Sequence, residues 1–155
     1  MRARDLAEQY ESVTLRTEAL TAARLLAEHR LPGLLVLGGT GRPVAILPAS
    51  QVVRTLVPTY VQDDPALARV IDERHADRLC QALAGRTVAD ILPDPAAKPP
   101  LVDPDDTALE VAAVMAAERS PLVAVVDPYT HDRDGRLLGV ITASRLLEQL
   151  LAAQP

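Results

Sequence analysis

The chain has 155 residues, 48 % of them apolar and 24 % charged, with a net charge of −5 and neither Phe nor Trp. That length fits one ordinary domain or two very small ones sharing a core, and the composition excludes a disordered chain. The acidic balance and the missing stacking aromatics argue against a nucleic-acid partner, and the core has to be aliphatic.

Cys80 is the only cysteine, which excludes an intramolecular disulfide and a cysteine-rich zinc site. The first residues carry Arg2, Arg4, Asp5 and Glu8, where a signal peptide needs an apolar stretch. No apolar run reaches the roughly 20 residues of a membrane span. A soluble, cytoplasmic chain without membrane insertion is expected.

In chain order, Leu20, Ala23, Leu26 and Ala27 recur at helical spacing, and Glu18 ahead of them suits the positive end of a helix dipole. Residues 34–37 read as a buried strand, 38–41 as a turn and 44–47 as a further strand. A helix starts near Ala49. Residues 58–65 form a turn-rich connection, and Pro65 is placed to open a helix over about 65–84. Leu67, Val70, Ile71, Ala76, Leu79 and Leu83 form its apolar stripe, with Cys80 as a small buried hydrophobe and Gly85 at its end. A stiff proline-rich loop occupies 93–100. Thr107 offers a capping oxygen to a helix carrying Leu109, Ala112, Met115 and Ala116. Residues 122–126 and 137–141 read as strands around a longer turn at 127–135, and a last helix starts near Ala143.

These elements repeat. Residues 41–53 lie over 135–147, with Gly41, Arg42, Ala49 and Ser50 on Gly135, Arg136, Ala143 and Ser144. Residues 19–27 lie over 108–116, the same register carries Arg30 and Pro32 onto Arg119 and Pro121, and residues 4–6 match 89–91. Each half reads as β-α-β-β-α behind a short helical turn. A three-stranded sheet cannot cover both faces by itself, so the halves are expected to pack through their sheets. The fold class is α/β (α+β): tandem β-α-β-β-α repeats in a pseudo-two-fold unit with an extra central helix. The expected division is 1–57 for the first repeat, 58–86 for the inter-repeat segment and 87–155 for the second repeat.

The repeat, with Thr87-Val88-Ala89-Asp90-Ile91-Leu92 ahead of it and Gly139-Val140-Ile141-Thr142 at its end, resembles the cystathionine-β-synthase (CBS) repeat over residues 2–57 and 87–152. The resemblance implies a stand-alone CBS pair, or Bateman-type module, with two clefts between the repeats. It implies a non-catalytic regulatory or sensor module that takes an adenosine-containing ligand such as AMP, ATP or S-adenosylmethionine, with no cofactor required. It also implies a homodimer acting on a separate enzyme or transporter. The alternative is a ligand-free module with degenerate clefts, used for dimerisation and docking. The last helices, with Val52, Val53, Leu56, Leu146, Leu147 and Leu150, are the expected dimer surface.

The family's ligand signature is a Gly-x-Ile-Thr-x-x-Asp motif, whose Thr contacts the ligand and whose Asp takes the ribose hydroxyls. The second repeat keeps Gly139 and Thr142 and has Arg145 for the Asp; the first has Ala45, Pro48 and Gln51. The resemblance therefore points to Gly139, Thr142, Ser144 and Arg145, with Arg30 and Arg119 beside the clefts, and to an anion in the second cleft rather than the first. Each residue also has a plainer role. Thr142 can cap the last helix. Arg145 opposes the helix dipole, as a solvated side chain or as the partner of an anion or an acidic neighbour. Arg30 and Arg119 suit helix C-termini.

His29, His75 and His131 have no metal-ligand spacing, and the polar turn around 131–135 lacks that of a calcium loop. No nucleophile elbow, phosphate loop or zinc-protease helix is present. No metal and no enzymatic activity are expected.

Overall fold

The computed structural model describes residues 1–70, 78–94, 98–128 and 135–155. Two three-stranded sheets are built alike. In the first, β1 (Ser12–Thr14) runs parallel to β2 (Gly33–Leu37), which pairs antiparallel with β3 (Pro43–Pro48). In the second, β4 (Leu101–Val102) runs parallel to β5 (Leu122–Asp127), which pairs antiparallel with β6 (Arg136–Thr142). Even an irregularity repeats, since the register shifts between Val36 and Leu37 and between the matching Val125 and Val126. The expected common topology is present, in a mixed α/β fold.

Helices α1 (Ala3–Leu6), α2 (Ala19–Glu28), α3 (Ala49–Leu56) and α4 (Thr59–Asp63) belong to the first part of the chain. The second part carries α5 (Val88–Ile91), α6 (Ala108–Glu118) and α7 (Ala143–Ala152). Local chemistry sets their starts. At α6 the Thr107 N–H donates to Glu110 Oε2 at 2.6 Å, and the Glu110 N–H donates to Thr107 Oγ1 at 3.3 Å, a reciprocal cap. Asp90 does the same for the Thr87 N–H at 2.8 Å. The hydrogen bonds that Asp90 and Glu110 accept from Thr87 and Thr107 hold both carboxyls below the usual carboxylate range.

Alternation along β2 and β5 separates three cores. Leu34 and Val36 face the first set of helices, and Val123 and Val125 face the second. Leu35 meets Leu122, Ala124 and Val140 where the two sheets pack together. Helix phase differs from the expected stripes. Ala19, Ala22 and Leu26 are buried in α2, and Val111 and Met115 in α6, whereas Leu109 is 79 % exposed. The capping box opens α6 one residue before Leu109, and the inward row then falls on Val111 and Met115, four apart.

The short turns cross between halves. Helix α1 precedes the first repeat in sequence, yet Ala3 and Leu6 are buried in the core of the second, with Val111 and Ile141. Helix α5 precedes the second repeat, yet Val88 and Ile91 are buried in the core of the first, with Ala19 and Leu47. Matching hydrogen bonds fix the exchange: Ala3 N–H to Asp106 O at 2.8 Å and Arg4 N–H to Pro104 O at 3.0 Å, against Val88 N–H to Thr17 O at 2.9 Å and Ala89 N–H to Leu15 O at 3.1 Å.

Where a helix over about 65–84 is expected, the described residues form 3-10 turns at Pro65–Val70 and Leu79–Leu83. Ile71, Ala76 and the Val70 side chain lie outside the described residues. Leu83 is buried against the first half, but Cys80 is exposed, contrary to expectation. The stripe assumed 3.6 residues per turn, whereas the segment around Cys80 is wound as a 3-10 turn with three.

Candidate functional site: two inter-repeat clefts

Each cleft forms where the last strand of one half meets the linker leading into the other half. The first cleft is a cavity of about 170 Å³ between Ala45, Ile46 and Pro48 of β3, the linker after α5, and the turn after α6. Two cations, Lys98 and Arg119, and two acids, Asp94 and Glu118, border it. Neither cation makes an ion pair with a described residue. Arg119 caps the end of α6 in the left-handed conformation, with φ 48°, and the matching Arg30, one residue past His29 at the end of α2, is also left-handed, with φ 52°. Such backbone costs a non-glycine residue about 1 kcal/mol or more, so a matched pair of arginines at these corners is informative. It turns the chain sharply from helix to cleft edge.

The second cleft lies along β6. Thr142 caps α7, its Oγ1 accepting from the Arg145 N–H at 3.1 Å and lying 3.3 Å from Ser144 Oγ. Arg145 Nε lies 3.5 Å from Glu8 Oε1, and its Nη1 lies 3.5 Å from Glu148 Oε2. Glu8 also bridges to Val140 by two backbone hydrogen bonds, each 2.9 Å. The space beside Gly139 is taken as well, since a Cβ there would stand 2.7 Å from Glu8 O. Further along the linker, the Tyr10 hydroxyl donates to Gly33 O at 2.6 Å. Burial pushes this phenol up to about 12.

Gly139, Thr142, Ser144 and Arg145 thus come together at the start of α7. Arg30 lies between His29 and Leu31, which with Gln9 and Tyr10 line a hollow beside the same linker. Arg119 is separate from all of them and belongs to the first cleft, with Pro48. Sequence reasoning missed Lys98, Glu118 and Glu8. A signal existed for Glu118, which stands where the first copy has His29. For Glu8 there was none, because its partners are about 130 residues away. The two positions where the family has Asp share one use: Gln51 Nε2 donates to Ile91 O at 3.0 Å, and Arg145 holds Glu8. Gln51 thus grips the last residue of the crossed helix α5, and Arg145 faces the segment that follows the crossed helix α1.

No group of His, Cys, Asp and Glu side chains able to hold a metal occurs among the described residues, and none of their helices is long and apolar enough to cross a membrane. His75 and His131 lie outside the described residues.

The CBS domain family matches residues 88–152. A CBS domain-containing protein of unknown function from Kribbella flavida is 53 % identical, over 97 % of this chain and 99 % of that one, with a TM-score of 0.79. The chain belongs to the CBS-domain family. A comparison with curated proteins finds no match. CBS-pair folds also align at low identity. CBSX2 from Arabidopsis thaliana is 19 % identical over 97 % of this chain and 94 % of that one, with a TM-score of 0.73; CBSX2 has also been solved in complex with AMP. The CBS domain pair of MJ0100, in complex with 5′-methylthioadenosine and S-adenosyl-L-methionine, is 15 % identical over 99 % of this chain and 98 % of that one, with a TM-score of 0.64. The family match covers the repeat that keeps Gly139 and Thr142; the first repeat, with Ala45, Pro48 and Gln51, lies outside it.

Proposed function

We propose that this CBS pair is a non-catalytic regulatory module that takes an adenosine nucleotide or a related anionic metabolite in an inter-repeat cleft and acts on a separate protein. The observation that carries this reading is the first cleft, where Arg119 and Lys98 stand beside Glu118 without ion-pair partners among the described residues. A carboxylate accepts two hydrogen bonds from vicinal ribose hydroxyls, and cations suit a phosphate. Ala45, Ile46 and Pro48 offer an apolar wall to a base. The AMP and S-adenosylmethionine complexes of CBSX2 and MJ0100 support this ligand class. In the second cleft, Thr142, Ser144 and Arg145, with Gly139 and Arg30 nearby, would meet an anion where Glu8 now lies. The repeat boundaries near 57 and 87, the cytoplasmic location and the two-fold dimer are parts of the same proposal.

Calorimetry and thermal shift with AMP, ATP and S-adenosylmethionine test it. One charge-assisted contact contributes about 1.5–3 kcal/mol, so Arg119→Ala should weaken binding by about tenfold or more while leaving the fold unchanged. Absence of binding by any of the three would favour the second reading, a ligand-free dimerisation and docking module. The observation behind that reading is that Gln51 holds the end of α5 and Arg145 faces Glu8 of the N-terminal linker, so both positions are taken up by the chain itself.

A further inference from the structure

We infer that the β6 edge of the second cleft is occupied by the chain's own N-terminal linker, and that the pairs Gly139–Glu8 and Ala45–Pro93 decide which cleft has its strand edge open to a ligand. The two halves allow a like-for-like comparison. Val140 and Ile46 occupy matched positions, opposite Ala124 and Leu35 in their sheets. At Val140 the outward N–H and C=O are both paired, to Glu8. At Ile46 no bridge to the linker exists among the described residues. The linker residue matched to Glu8 is Pro93, by the register that lays residues 4–6 over 89–91. Proline has no N–H to donate, so the two-way bridge cannot form there. The strand residue agrees in each case. Gly139 leaves room for Glu8 O, which a Cβ would approach to 2.7 Å, whereas the first half carries Ala45, whose side chain borders the open cavity.

Charge completes the contact. Arg145 stands where the family has an acid, and it receives the Glu8 carboxylate, so the linker supplies an anion as well as a backbone. Glycine at 139 is thereby explained without a ligand, and Arg145 gains a carboxylate neighbour, although its buried Nε makes no hydrogen bond. As far as ligand stoichiometry goes, the inference rests on the proposed function and assigns one site per chain, in the first cleft. The occupancy of the second cleft stands apart from it.

The test uses the full chain and needs no ligand. Amide hydrogen exchange by NMR should show Glu8 and Val140 protected and Ile46 less so. Glu8→Pro recreates the Pro93 arrangement; Ala7 already has φ −62° and ψ 135°, matching Leu92 ahead of Pro93 at −61° and 141°, and this backbone accepts a following proline. The variant should stay folded while the Val140 amide exchanges about tenfold faster or more, as expected for loss of a net hydrogen bond. Gly139→Ala should lower protection at Glu8 and Val140, and the reciprocal Ala45→Gly should not. A Glu8 amide exchanging as fast as an open linker, or Val140 protection unchanged in both Glu8→Pro and Gly139→Ala, would overturn the inference. A second arm titrates AMP: one site in the wild type is expected, and two sites would also overturn it. If no AMP binds, the proposed function fails while the exchange results still decide this inference.

Discussion

Tyr10 ties the N-terminal linker to β2 through its hydroxyl bond to Gly33 O, and it packs at the junction of the two sheets. Its ordinary value is 10.0, and burial raises it to about 12. A folded value above the unfolded one favours the protonated state in the fold. The contribution is therefore complete below pH 10 and is lost as pH rises toward 12. Tyrosinate absorbance in the native state should include a late-titrating component that disappears in Tyr10→Phe. The variant should also lose less stability than the wild type across that window. A variant with an unchanged titration curve would contradict the assignment. At the opposite end, Thr107→Ala removes the hydroxyl cap of α6 and the lesser, side-chain share of what holds Glu110 low, while the backbone N–H at 107, the larger cause, remains. It should cost about 1 kcal/mol in urea unfolding at neutral pH. The side-chain share of the Glu110 depression is present above the ordinary carboxylate range and is lost as pH falls through the folded value, so the gap between wild type and variant should narrow in acid without closing, since both keep the backbone bond to Glu110.

At the scale of elements, the sequence located β2, β3, β5 and β6 within a residue or two, because aliphatic runs bounded by glycine and proline are strong local signals; β1 and β4, only three and two residues long, were expected in each half but not placed. The start of α6 was legible at Thr107 for the same reason. Its inward face was not, since Leu109 and Val111 are both aliphatic and only packing selects between them. The crossing of α1 and α5 was also hidden. Matching residues 4–6 to 89–91 establishes that two turns are alike, but not which core each one enters. Leu6 makes the crossing testable. It is 1 % exposed and packed with Val111 and Ile141 of the second half, so Leu6→Ala should destabilise the protein by about 2–5 kcal/mol. Hydrogen exchange should rise first in β5 rather than β2, even though Leu6 precedes the first repeat. Equal loosening of both sheets would mean that the halves unfold as one unit and the crossing has no separate energetic expression. The cleft residues were legible only where a motif survived. Thr142 and Arg119 announced themselves by position, whereas Lys98 and Glu118 reach the first cleft through a linker and a helix end that no periodicity constrains.

For the whole molecule, the remaining question is what covers the outer helices. The expected dimer surface was Val52, Val53, Leu56, Leu146, Leu147 and Leu150. Val52 and Leu146 are each only 5 % exposed and belong to the cores of their own halves. What α7 presents outward is Leu147 at 57 %, Leu150 at 40 % and Leu151 at 63 % exposed, and α3 adds Val53 at 58 %. Positions 147, 150 and 151 follow the three- and four-residue spacing of one helix face. Large apolar side chains grouped in this way on one face mark an association site more often than an ordinary surface. A second copy related by two-fold symmetry is the simplest cover, because a self-complementary patch closes without leaving a further sticky surface. Sedimentation should therefore give a dimer at micromolar concentration. Leu147→Glu combined with Leu151→Glu should give a monomer with unchanged secondary structure, because neither side chain contributes to a core. The dimer's melting temperature should rise with protein concentration, and the variant's should not. A wild-type chain that sediments as a monomer would assign this face to a different protein, and the double variant would then be expected to retain both its mass and its melting temperature.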